Sequence, residues 1–124
     1  MRQRAGLIII QEAHVLLLQK RQGNHFSYTF PTTETDTAAD LEASAIREAS
    51  SLTGSPVRLE TKAFVHAADM LEHYYYVSLV PGTHETLQST AYANPVWMPV
   101  AKLAALDIRP KSAAVKVADT APAG

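Results

Sequence analysis

A chain of 124 residues and 13.5 kDa has room for one domain. With 47% hydrophobic and 19% charged residues it is too apolar to stay disordered, and at this length folding buries roughly two thirds of the unfolded surface. A formal charge of −1 and the absence of cysteine exclude a charge-driven nucleic-acid or anionic-membrane partner, disulfides, thiolate metal sites and a cysteine nucleophile.

Apolar runs such as Leu7 to Ile10 and Val15 to Leu18 fall far short of the ~20 residues needed to span a bilayer. The opening Met1-Arg2-Gln3-Arg4 meets Gln11 and Glu12 too soon for a secretory segment. The expectation is a cytoplasmic chain with one domain over residues 1–119 and a flexible tail at 120–124.

Residues 4–10 read as a buried strand, Gln11 to His14 as a turn and Val15 to Gln19 as a second strand, which together make a hairpin. Lys20 to Asn24 then leaves the sheet through Gly23. His25 to Phe30 alternates, with Phe26, Tyr28 and Phe30 on one face, and stops at Pro31, which cannot donate to a ladder. Thr32 to Ala39 has no large apolar side chain and reads as loop.

A helix follows, with Asp40 as N-cap and Gly54 just past its last turn. Leu41, Ala45, Ala49 and Leu52 form its core-facing stripe. Val57 to His66 and His73 to Val80 are strands, the second aromatic at Tyr74, Tyr75 and Tyr76 and ended by Pro81-Gly82. Val96 to Val100 is a last short strand, Ala101 to Leu106 a weak helix and Lys111 to Asp119 another. Strands and helices do not alternate strictly, so the pattern predicts α+β: a mixed sheet covered by helices.

The informative segment runs from Tyr28 to Val57. Phe30-Pro31, Arg47-Glu48, the apolar Ala49 and Gly54 stand at the spacing of the box that defines the Nudix (MutT-like) hydrolases, and here the sequence resembles that family. The likeness extends to Leu16 to Arg21, an apolar hairpin arm ending in basic residues, to Tyr74-Tyr75-Tyr76-Val77, and to Trp97 to Leu103. The resemblance implies an α/β/α sandwich and hydrolysis of nucleoside-diphosphate-linked compounds with Mg²⁺ or Mn²⁺. It implies Glu48 as metal-binding catalytic carboxylate, Arg47 as its orienting partner, a small nucleotide-type ligand and a homodimer.

The remaining box positions depart from the family. Thr33 replaces the first glycine and Ala39 the first glutamate, Ser51 and Leu52 replace the Glu-Glu pair, and Ser55 the last apolar residue. Water attack on a phosphoanhydride needs divalent cations to screen phosphate charge and acidify the water. Hard cations want several oxygen ligands, which the family sets at i, i+3 and i+4 on one helix face. This chain offers Glu48, Ser51 and Leu52 there, so the box predicts lost or weakened hydrolysis; the alternative is a non-catalytic nucleotide-binding or protein-interaction module. Folding can still bring Glu34, Asp36, Glu60, Asp69, Glu72 or Glu85 to Glu48.

Substrate contacts are expected from Arg21, at the hairpin mouth, and from Tyr75, whose ring can stack on a flat ligand from one face of its strand. The five histidines show no metal-ligand spacing. His66 and His73 flank a turn and are candidates to face each other across a hairpin.

Overall fold

The computed structural model describes residues 2–36, 40–81, 87 and 93–120. The expectations at Ala39, Gly82, His84 and Glu85, and most of the tail, lie outside the described residues. The described residues form eight strands and two α-helices in the order β1 (Gln3–Gln11), β2 (His14–Gln22), β3 (His25–Thr29), β4 (Thr32–Thr35), α1 (Leu41–Thr53), β5 (Val57–Ala67), β6 (Leu71–Leu79), β7 (Asn94–Pro99), a 3-10 helix (Val100–Ala105), β8 (Ile108–Arg109) and α2 (Lys111–Thr120).

The sheet is mixed. β1 runs parallel to β6 over Arg4–Ile9 and antiparallel to β4 over Gln3–Gly6. The β1–β2 hairpin is bonded only at its closed end, Ile10 to Val15 and Gln11 to His14. β7 lines β2 from His14 to Gln19, and β3 pairs with β2 from Leu18 to Gln22. A strand has two edges, so β1 and β3 share one edge of β2 at successive heights. Below the hairpin tip the two halves of the sheet therefore part, leaving a wedge between β1 and β3.

Alternation sends side chains of each strand to two cores. On one face Ala5, Leu7, Ile9, Leu16, Tyr75 and Val77 pack with Leu41, Ala45, Ala49 and Leu52 of α1. On the other, Ile8, Val15, Leu17, Tyr28, Phe30 and Tyr74 pack with Leu103, Ile108 and Ala113, Ala114 and Val117 of α2. This is the predicted α/β/α layering. No described helix is long and apolar enough to cross a membrane.

Two local expectations are corrected. Thr32–Thr35 is strand, not loop: β-branched residues suit a pleat, and β1 offers them an open edge. β2 runs on through Lys20 to Gln22 because β3 pairs with it, and the chain turns only at Gly23, φ 63. The ends of α1 fall where expected: Asp40 is its N-cap, φ −93 and without a side-chain cap bond, and Gly54 adopts the left-handed C-terminal conformation, φ 65.

Candidate functional site

The predicted α1 stripe is buried as a unit, and α1 lies against β1, β4 and β5. Its other positions decide what metal chemistry is open to it. Glu48 is half-buried, Ser51 is exposed, and Leu52 is only 6% exposed in the core beneath the helix. Arg47 Nη2 donates to Ser44 Oγ at 3.0 Å, one turn back. The face that the box assigns to metal thus presents one carboxylate, hydroxyls and a packed leucine. That donor set does not fit a hard divalent cation.

Four other candidate carboxylates, Glu34, Asp36, Asp69 and Glu72, lie against arginines instead. Arg4 stands opposite Glu34 on β4 and opposite Glu72 on β6. Its Nη2 donates to Glu34 Oε1 at 2.8 Å and its Nη1 to Glu72 Oε2 at 2.5 Å, with Asp69 at 3.9 Å. Arg2 pairs with Glu34 at 2.9 Å and Asp36 at 3.7 Å. Glu60 accepts from the Ser78 hydroxyl. Among the described residues no three His, Asp or Glu side chains gather as a metal site.

The wedge between the two sheet halves forms a cleft of about 340 Å³, lined by Arg4, Phe30, His66, Glu72, Tyr74 and Arg109 among others. Gly6 makes room for the Tyr74 ring: Tyr74 lies directly across from Gly6 on β6, and a Cβ there would overlap its ring. Phe30 meets Tyr74 edge-on, centroids 5.9 Å apart, and Phe64 stacks on it at 4.8 Å. The Tyr74 hydroxyl donates to Glu72 Oε1 at 3.3 Å, so Glu72, 6% exposed, has both oxygens engaged. Burial, and then the charge of Glu72, pushes the Tyr74 phenol well above its ordinary value. Hydrogen bonding to Arg4 holds the Glu34 carboxyl below the ordinary glutamate value. The cleft therefore offers a fixed charge pattern of cations and a clamped carboxylate around an aromatic floor.

The four residues expected to form a site are not gathered in this cleft. Glu48 and Arg47 lie on α1. Arg21 lies towards the end of β2, its Nε donating to the Gly23 carbonyl at 2.9 Å and its guanidinium 5.9 Å from the exposed Phe26 ring. Phe26 shares a face with Tyr28 but lies outside the core. Tyr75, 6% exposed, packs beneath α1, where burial and the charge of Glu42 raise its pKa. His66 and His73 do not face each other: His66 pairs with Glu72 and His73 with Val65, on opposite faces of the hairpin. Arg4, His66, Glu72, Tyr74 and Arg109 come together only because strands distant in sequence pair. The single local signal was Gly6 inside an apolar strand, which marks a close approach.

The fold so described is that of the Nudix hydrolases. Solved structures that share it include a NUDIX hydrolase from Nitrosomonas europaea (TM-score 0.73, 13% identity, 95% of this chain and 86% of that one). The ORF135 protein of E. coli gives TM-score 0.68 at 18% identity, covering 96% and 88%. A NUDIX-family hydrolase from Clostridium perfringens gives 0.69 at 14%, covering 94% and 93%. No protein family's sequence profile matches this chain, and no curated protein matches it. The resemblance read from Phe30-Pro31, Arg47-Glu48 and Gly54 thus holds at the level of the fold.

Proposed function

We propose that this chain is a Nudix-fold protein that takes a nucleoside-diphosphate-type small molecule in the cleft between its sheet halves and has lost, or retains only weakly, the hydrolase chemistry of that fold. The observation that carries this reading is Leu52. A buried apolar side chain packs the core at the helix position where the resemblance implies a metal-binding glutamate.

The chain's own residues supply binding rather than bond breaking in this reading. Phe30 and Tyr74, 2% and 0% exposed, make a rigid apolar floor beneath the ligand. Arg109 and His66 offer donors at the cleft wall, and Arg4 keeps Glu72 oriented. Glu48, with Arg47 and the Ser44 hydroxyl beside it, is what survives of the catalytic face. The Mg²⁺ or Mn²⁺ implied by the fold would find one carboxylate there.

The test is product release from nucleoside di- and triphosphates, dinucleoside polyphosphates and nucleotide sugars, with Mg²⁺, with Mn²⁺ and with chelator, using Glu48→Gln protein as control. The expected result is no turnover above the control, with binding of at least one class by calorimetry. Metal-dependent turnover that falls about tenfold or more in Glu48→Gln, equivalent to ~1.4 kcal/mol of transition-state stabilisation, would establish a working enzyme instead.

A further inference from the structure

Where β2 and β3 run out of the cleft they carry a second hollow. Cross-strand pairing sets Leu18 opposite Thr29, Lys20 opposite Ser27 and Gln22 opposite His25. Alternation keeps all of these on one face. Along that face the chemistry changes from apolar to cationic. Leu18 and Thr29 line the aromatic cleft. Lys20, Gln22, His25 and Ser27 line an adjoining hollow of about 190 Å³, which Asp107 and Arg109 complete. Thr29 and Arg109 line both spaces, so the two are neighbours.

The charges in this hollow do not cancel. Lys20 has no ion-pair partner among the described residues. Among the described residues Asp107 is the one carboxylate lining the hollow, and it is shared: His25 Nε2 meets its Oδ2 at 2.7 Å, and Arg109 Nε lies 3.8 Å from its Oδ1. Positive charge is therefore left over in a protein whose formal charge is −1. An ammonium, a guanidinium, a carboxamide and a hydroxyl surround the space. That donor set suits a tetrahedral oxyanion, whose oxygens accept several charge-assisted bonds at once.

We propose that this hollow is an anion subsite for a phosphate group, with Lys20 and Arg109 supplying charge, Ser27 and Gln22 supplying neutral donors, and Asp107 anchoring His25. It is built from β2, β3 and the approach to β8, not from α1, so it is a different place from the Glu48 face. The phosphate has two possible sources: inorganic phosphate from solution, or a phosphate borne by a ligand whose body fills the adjoining cleft. The second source rests on the function proposed above; the first does not.

Titration of the full chain with inorganic phosphate, against sodium chloride at equal ionic strength, tests it by the amide NMR shifts of His25, Ser27 and Asp107. Saturable shifts absent from the chloride control are expected. Lys20→Gln combined with Arg109→Gln should weaken binding by about tenfold or more, whereas Lys20→Arg should keep it. Both replaced side chains are exposed, and amide dispersion reports that the variant is folded. A parallel titration with ADP separates the sources. Shifts at both Tyr74 and His25 support a ligand-borne phosphate. Shifts at His25 with inorganic phosphate alone support a free anion, and count against the nucleotide reading without touching the subsite. Shifts that match the chloride control, or that survive unchanged in the double variant, overturn the proposal.

Discussion

At α1, two residues separate a packed helix from one carrying a carboxylate cluster. Leu52 closes the apolar stripe begun by Leu41, while Ser51 beside it faces solvent. Ser51→Glu with Leu52→Glu recreates the i, i+3, i+4 carboxylate cluster with Glu48. Isothermal titration should show Mg²⁺ affinity rising in the double variant. The same variant should lose ~2–4 kcal/mol of stability, since it removes apolar burial and strands a charge. Ser51→Glu alone should leave stability unchanged. A double variant as stable as the parent would mean that Leu52 does not hold the core.

Gly6 and Arg4 act at the scale of the strand. Both sit on β1 and both are answered by β6, Gly6 by Tyr74 and Arg4 by Glu72. Gly6→Ala forces the Tyr74 ring out of its place between β1 and Phe64. Chemical denaturation should show a loss of ~1–3 kcal/mol, the usual consequence of overpacking, together with reduced ligand binding in the cleft. Arg4→Met removes the guanidinium bonded to the buried Glu72 and, among the described residues, leaves that carboxylate with Tyr74. A loss of ~2–4 kcal/mol is expected, and Glu72→Leu in the same chain should recover most of it. No recovery would show that Arg4 acts through Glu34 instead. The hairpin tip shows an element hard to read from the chain: Glu12 and Ala13 both adopt positive φ, 51 and 61, without the glycine or asparagine that announces such a turn.

For the whole molecule, ionisation couples the layers to pH. Arg4 first, by hydrogen bonding, holds Glu34 below its ordinary value, and His25 first, by hydrogen bonding, does the same for Asp107. Each contributes stability that is present above the ordinary carboxylate pKa of about 4 and lost as pH falls through the lowered value. His73 acts at higher pH. Burial first, then Lys62, lowers its pKa, and neither ring nitrogen has a hydrogen-bond partner among the described residues. As pH falls below about 6.5 the unfolded chain takes up the proton before the folded one does, so stability declines down to the folded pKa and then levels off. Urea midpoints measured from about pH 7 to pH 5 should fall in the parent protein and flatten in His73→Phe. An unaltered slope would assign that limb to another histidine.

Much of the architecture is written in local patterns. Period-2 and period-3.6 spacing, Pro31, Gly23 and Gly54 mark β1, β2, β3, α1, β5 and β6, and Phe30-Pro31 with Arg47-Glu48 points to the fold. The departures at Ser51 and Leu52 are equally local, because i, i+3 and i+4 positions share a helix face by geometry alone. What only the tertiary structure decided is which strands meet. Thr32–Thr35 becomes strand because β1 leaves an edge open, and Arg4 gathers Glu34 and Glu72 because β4 and β6 flank β1 at the same height. The cleft and its cationic neighbour exist because β1 and β3 share one edge of β2. Those are long-range pairings, set by the burial of two cores at once, and no window of sequence contains both partners.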